Sequence, residues 1–174
     1  MPGTSPASPA SGGAVARVVT GGQAGADRAA TDVAVALGVP YGGWVPRGGW
    51  AEDRPHPPGV LADYPAFDES ESSDPEERTV RNVRSADATL VFVLGDAGSP
   101  GTALTASAAR ARGVPFALVD LTAPDRDARL ESFVGGLPHR CTLNVAGPRE
   151  SEQPGIYEEV TTFLLAHRHL LFGR

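Results

Sequence analysis

The chain reads as an α/β protein: a single Rossmann-like three-layer domain with a mostly parallel sheet and helices on both faces. Three observations predict this. The order strand, glycine turn, Ala-rich helix, Gly-Val-Pro, strand runs from about residue 16 to 40 and returns from about 90 to 119. The run Leu90–Leu94 is continuously apolar, as a parallel strand covered on both faces requires. A third strand–turn–helix unit closes the chain, and repeated units of this kind build open parallel sheets.

Taken in order, residues 1–14 are Pro, Ser, Gly and Ala without periodicity and predict a disordered tail, leaving 15–174 as the domain. The first strand is expected over about Ala16–Thr20. A helix follows from about Gly25 to Leu37, with Ala29, Ala30, Val33, Ala34 and Leu37 at the spacing of a buried face. Gly38 supplies the C-cap, and Val39-Pro40 turns the chain into the next strand. From Tyr41 to Asp74 the sequence is a loop-rich insert, dense in Gly, Pro and acids; an insert of that length in a compact domain is usually functional or mobile. Asp74, Pro75 and Glu77 then form a helix start, a capping box with Pro at the first helical position. After the Leu90 strand, Ser99 and Pro100 start a helix to about Arg112, and Phe116–Val119 is the next strand. Leu143–Ala146 is a strand, Gly147–Gln153 a turn, and Pro154 to about Phe172 one long terminal helix.

Composition narrows the function. With 174 residues, 41% hydrophobic and 21% charged, the chain is long enough for a real core. It has no apolar run approaching the ~20 residues of a membrane span. No basic region followed by an apolar segment opens it, so the expectation is a cytoplasmic protein with no membrane partner. A net charge of −6 argues against nucleic acid. All fifteen basic residues are arginine; without lysine there is no Schiff-base chemistry and hence no PLP. Cys141 is the single cysteine, which excludes internal disulfides, iron–sulfur clusters and structural multi-cysteine zinc, and it is expected to be buried as a small hydrophobe. His56, His139, His167 and His169 show no metal-ligand spacing.

The chemistry concentrates at the strand ends. Val18-Val19-Thr20-Gly21-Gly22-Gln23-Ala24-Gly25-Ala26-Asp27-Arg28 leads an apolar run through a glycine turn into a helix, a geometry suited to anions. Three turns are expected to converge at the carboxyl edge of the sheet: Gly21–Gly25, Gly98–Thr102 and Gly147–Arg149. Arg28, Arg47, Arg78 and Arg149 are placed to add charge, and together they suggest a local phosphate pocket on an acidic protein. In the insert, Trp44, Arg47, Gly48, Glu52 and Asp53 are suited to stack on, clamp and hydrogen-bond a flat polar ligand. Asp27, Glu52, Asp53 and Glu69 are candidates for acid–base work or for holding ribose or pterin edges; salt bridges to the arginines are the competing reading.

Several motifs resemble those of a known family, that of the putative molybdenum carriers. They are Thr20-Gly21-Gly22-Gln23-x-Gly25-x-Asp27-Arg28-Ala29-Ala30, Gly42-Gly43-Trp44-x-Pro46-x-Gly48 with Ala51-Glu52-Asp53, Arg78-Thr79-x-x-Asn82-Val83, Gly101-Thr102-x-Leu104-Thr105 and Leu143-Asn144-Val145-Ala146-Gly147-Pro148-Arg149-x-Ser151, in order from about residue 16 to the end. The resemblance implies a parallel-sheet fold in a Rossmann-like superfamily, a homodimer or higher homo-oligomer, and a phosphate-bearing small-molecule partner at the glycine turns. The ligand it implies is molybdenum cofactor or molybdopterin, with no protein metal ligands. Relatives in the superfamily include the cytokinin-activating phosphoribohydrolases. Those enzymes carry Pro-Gly-Gly-x-Gly-Thr-x-x-Glu, and here Thr105 stands where the Glu should be. A departing base builds oxocarbenium-like charge that a carboxylate stabilises and a threonine does not. The reading is therefore a ligand-binding protein, a molybdenum-cofactor carrier first. The alternatives are a sensor of nucleotide-derived ligands, or a nucleoside-monophosphate phosphoribohydrolase using Glu52, Asp53 or Glu69 as a relocated carboxylate. The implied ligand contacts are Gly21, Gly22, Gln23, Gly25, Asp27, Arg28, Trp44, Arg47, Gly48, Arg78, Asn82, Gly101, Thr102, Thr105, Gly147 and Arg149.

Overall fold

A computed structural model describes residues 12–95 and 99–174. Most of the expected tail, 1–11, and Asp96, Ala97 and Gly98, the approach to the second glycine turn and its first residue, lie outside the described residues. The elements are β1 (Val15–Val19), α1 (Ala26–Ala36), β2 (Tyr41–Gly42), β3 (Trp44–Val45), β4 (Asp68–Glu69), α2 (Pro75–Arg84), β5 (Ala88–Val93), α3 (Pro100–Arg112), β6 (Phe116–Asp120), α4 (Arg126–Gly135), β7 (Cys141–Ala146), α5 (Ile156–Ala166) and α6 (Arg168–Phe172). The main sheet has five strands in the order β2-β1-β7-β5-β6, and every pair is parallel. This is the α/β, Rossmann-like architecture the repeated units predict.

Burial follows from the strand residues. β5 is buried at all six positions and β7 at four of six, because both have neighbours on either side and helices above and below. Leu90, Phe92, Leu143 and Val145 join Ala29, Val33, Leu130, Val160, Phe163 and Leu171 in one core, which sets α1, α4, α5 and α6 against one face. α2 and α3 pack on each other, and α3 lies on β5 and β6. Cys141 is buried in the first-named core, as expected for a small hydrophobe.

Three elements depart from the sequence reading. α4 has little in the sequence pattern to mark it: its stripe Leu130, Phe133, Val134 is short, and polar contacts from Arg126 and Asp127 at its start also fasten it. The terminal helix is broken at His167, whose Nδ1–H donates to the Phe163 carbonyl at 2.9 Å while its Nε2 lies 3.2 Å from Asp127. Turning back onto its own helix, this side chain ends α5, and α6 restarts at Arg168. The insert is not an irregular loop. β3 and β4 pair in parallel, and Val45, Ala51, Val60 and Phe67 form a second small core with Tyr41 and Tyr64 packed on it. Tyr41 meets the Phe67 ring edge-on at 5.6 Å.

Candidate functional site

A cleft of about 380 Å³ opens beyond the carboxyl ends of β1, β7 and β5. Four segments supply its walls: Gly21, Gln23 and Asp27 after β1; Gly147 and Arg149 after β7; the first turns of α2; and the start of α3 with Gly101, Thr102 and Thr105. Adjacent parallel strands end together here, which is why the turns converge.

At the floor lies a buried ion pair. Arg78 Nη1 donates to Asp27 Oδ2 at 3.3 Å, and the two side chains are 11% and 5% exposed. Burial raises the Asp27 carboxyl above the usual carboxylate range, against the pull of Arg78 and the bonds from the Gln23 and Gly21 amides. Burial likewise lowers Arg78, and Arg149 adds a like charge in the same direction. The Arg78 Nε is buried and has no partner among the described residues. Gly21 is glycine because this guanidinium rests on it: a Cβ there would sit 1.5 Å from Arg78 Nη1.

The first three amides of the first glycine turn are engaged within the turn itself. Gly21 N–H donates to Asp27 Oδ2 at 3.1 Å and Gln23 N–H to the same atom at 3.5 Å, while Gly22 N–H donates to Thr20 Oγ1. An internal carboxylate thus fills the seat the sequence suggested for an anion. Other helix starts are filled in the same way. Glu150 accepts from Gly155 and Tyr157 at the start of α5, and Asp74 accepts from Glu76 at the start of α2. At α3, Thr102 N–H donates to Ser99 Oγ and the Thr105 hydroxyl donates back to the Gly101 carbonyl. The cationic charge facing the cleft therefore comes from Arg78 and Arg149.

Of the sequence-predicted contacts, the structure brings Gly21, Gln23, Asp27, Arg78, Asn82, Gly101, Thr102, Thr105, Gly147 and Arg149 to the cleft. The rest lie outside its lining. Arg28 turns to the other side of α1, where its fork holds Asp53 at 2.9 and 3.2 Å and the Gly22 carbonyl at 3.1 Å. Gly25, with φ +102°, lets the first turn pack on Pro148 and Arg149; a Cβ would meet the Pro148 carbonyl at 2.5 Å. Gly22, with φ +69°, packs against Val45 of the insert core. Trp44 is held by Asn82, which accepts from its N–H at 2.7 Å and donates to its carbonyl at 3.0 Å, and its ring lies under Arg81. Arg47 is exposed, and Gly48 N–H donates to Glu69 at 2.6 Å. Glu52 reaches across to accept from Ser151. None of Glu52, Asp53 and Glu69 lines the cleft, because each is engaged within the insert or beside it.

Sequence reasoning passed over several lining residues. Asn144 is 2% exposed, pairs across the sheet with Thr89 and faces the cleft; a polar residue inside an apolar strand was its signal. Glu152 holds the Arg149 amide at 2.9 Å. On the opposite side of the first turn is a shallower groove lined by Arg28, Asp32, Asp53, Arg54, Tyr64 and Tyr157. There Tyr64 and Tyr157 both donate to Asp32, at 2.6 and 2.8 Å, and burial with that carboxylate pushes both phenols up.

Comparison with known proteins agrees with this fold. Residues 18–167 match the model of the circularly permutated YpsA SLOG family. A crystal structure described as Putative molybdenum carrier protein, from Syntrophus aciditrophicus SB, is 35% identical, with a TM-score of 0.78 over 88% of this chain and 95% of that one. No curated protein matches the chain. No helix among the described residues is long and apolar enough to cross a membrane. The match over most of its length places this chain in the circularly permutated YpsA SLOG family.

Proposed function

We propose that the chain binds a phosphate-bearing small molecule in the cleft and serves as a carrier of molybdenum cofactor or molybdopterin. One observation carries this: the Arg78 guanidinium lies at the floor of the cleft with a buried Nε that has no partner among the described residues, and Arg149 adds a second guanidinium to the lining. A desolvated guanidinium recognises phosphate through charge-assisted hydrogen bonds. A volume of about 380 Å³ falls at the lower end of the range of about 300–1,000 Å³ typical of small-ligand pockets. The described residues include no group of three His, Cys, Asp or Glu side chains able to hold a bare metal ion. Recognition of such cargo rests on its phosphate and ring. The relative from Syntrophus aciditrophicus SB, described as a carrier, supports the reading.

Native mass spectrometry of gently purified protein tests it. A molybdopterin-sized adduct, with molybdenum found by elemental analysis and lost in Arg78→Ala, is the expected result. A nucleotide-sized adduct in its place overturns the carrier reading in favour of a nucleotide-ligand sensor.

A further inference from the structure

The cleft presents Arg149, and Trp50 of the insert does not line it, yet the two are joined. Arg149 Cζ lies 5.4 Å from the centre of the half-buried Trp50 ring. Trp50 stands in the insert, just ahead of the buried Ala51 of the small core. Its carbonyl accepts from Gln23 Nε2 at 3.4 Å, and Gln23 Oε1 accepts from Glu52 N–H at 3.2 Å. Gln23 is 3% exposed, so this amide is a fixed anchor on the first turn. Glu52 then accepts from Ser151 N–H at 3.1 Å, two residues beyond Arg149. Glu152 accepts from the Arg149 amide itself. The backbone on both sides of the arginine is tied, and its long side chain has one aromatic face to rest on.

We propose that the insert is a brace and not a lid: Trp50 is a positioning residue that holds Arg149 in the cleft. An arginine free to sample its rotamers loses much of its entropy on binding an anion; one already held over an indole ring loses less. This inference rests on the phosphate-site reading of the cleft and adds the residue that makes Arg149 effective.

The test is a double-mutant cycle with inorganic phosphate as probe, binding measured by isothermal titration and folding by thermal unfolding. Trp50→Ala is expected to weaken phosphate binding about fivefold in the wild-type background. In an Arg149→Ala background the same change has no further effect. Trp50→Phe restores binding to within about twofold, because a ring returns, whereas Trp50→Leu, which keeps apolar packing for the insert core, does not. Equal effects of Trp50→Ala in both backgrounds, or full binding in a folded Trp50→Leu protein, overturn the proposal. If Arg78→Ala abolishes phosphate binding while Arg149→Ala leaves it unchanged, the brace is refuted and the site stands. If neither arginine matters, the reading of the site itself is refuted.

Discussion

Gly21→Ala isolates what Arg78 does. The backbone at Gly21 has no left-handed φ, so alanine fits the chain, and the conflict is purely one of space. The new Cβ would stand 1.5 Å from Arg78 Nη1 and 2.8 Å from Asp27 Oδ2. A non-bonded contact of about 3.5 Å requires the guanidinium to retreat by roughly 2 Å. That breaks its 3.3 Å bond to Asp27 and moves its charge off the floor of the cleft. Because the clashing atom is the tip of a flexible side chain, the fold should lose only about 1–3 kcal/mol, within the usual 5–15 kcal/mol of a domain. A charge-assisted hydrogen bond is worth about 1.5–3 kcal/mol, so phosphate affinity should fall roughly 10- to 150-fold. Isothermal titration with inorganic phosphate reads the affinity and thermal unfolding reads the fold. Gly135→Ala, where a Cβ meets nothing within 4 Å, serves as control. A folded Gly21→Ala protein that binds phosphate within twofold of wild type would refute the assignment of Arg78.

Other variants probe the frame around the site. Asp27 has a raised pKa in the fold, so folding favours its protonated form, and its contribution to stability declines as pH rises from about 4 through the raised value. Compared with Asp27→Asn in urea unfolding across that range, wild type should lose ground as pH rises; a gap moving in its favour would contradict the burial argument. Asn82→Ala leaves the Trp44 N–H and carbonyl without their partner, which should cost about 2–3 kcal/mol and speed hydrogen exchange at the Trp44 amide. At Gly147 a Cβ would meet the Phe92 carbonyl at 2.6 Å and Ala26 Cβ at 2.7 Å, backbone and core groups with nowhere to go. Gly147→Ala should therefore cost about 3 kcal/mol and lower Tm by roughly 10 °C in calorimetry.

The strand–turn–helix units were legible because apolar runs and glycine turns are local signals, and Arg78 and Arg149 were legible as arginines beside those turns. Which side each residue faces was harder to read. Asp27 and Arg28 were placed in one site, but consecutive helix positions point about 100° apart, and the structure sends Asp27 to the cleft and Arg28 to the far groove. The occupation of the Gly21 and Gln23 amides by Asp27 depends on how the turn folds back on its own helix, which no spacing rule reports. The insert was read as a loop because its strands, Trp44–Val45 and Asp68–Glu69, are two residues long and pair over more than twenty residues of sequence. Its small core is assembled from Val45, Ala51, Val60 and Phe67, too scattered to show a period. α4 carries only Leu130, Phe133 and Val134 to mark it, although Pro124-Asp125 ahead of it is a helix-start signal that was available.

The position of β7 has a consequence for how the chain is made. It is the last strand in the sequence, yet it lies third in the sheet and is the only strand joining the β2-β1 pair to the β5-β6 pair. Without Cys141–Ala146, the sheet reduces to two separate strand pairs with open inner edges, at Val15–Val19 and Ala88–Val93. Such edges invite pairing with other chains. Sheet closure is thus a late, long-range event, of the kind that slows folding and exposes intermediates. A chain stopped before residue 141 would carry every residue of the small insert core and most of the cleft wall, and would still be a molecule in two halves.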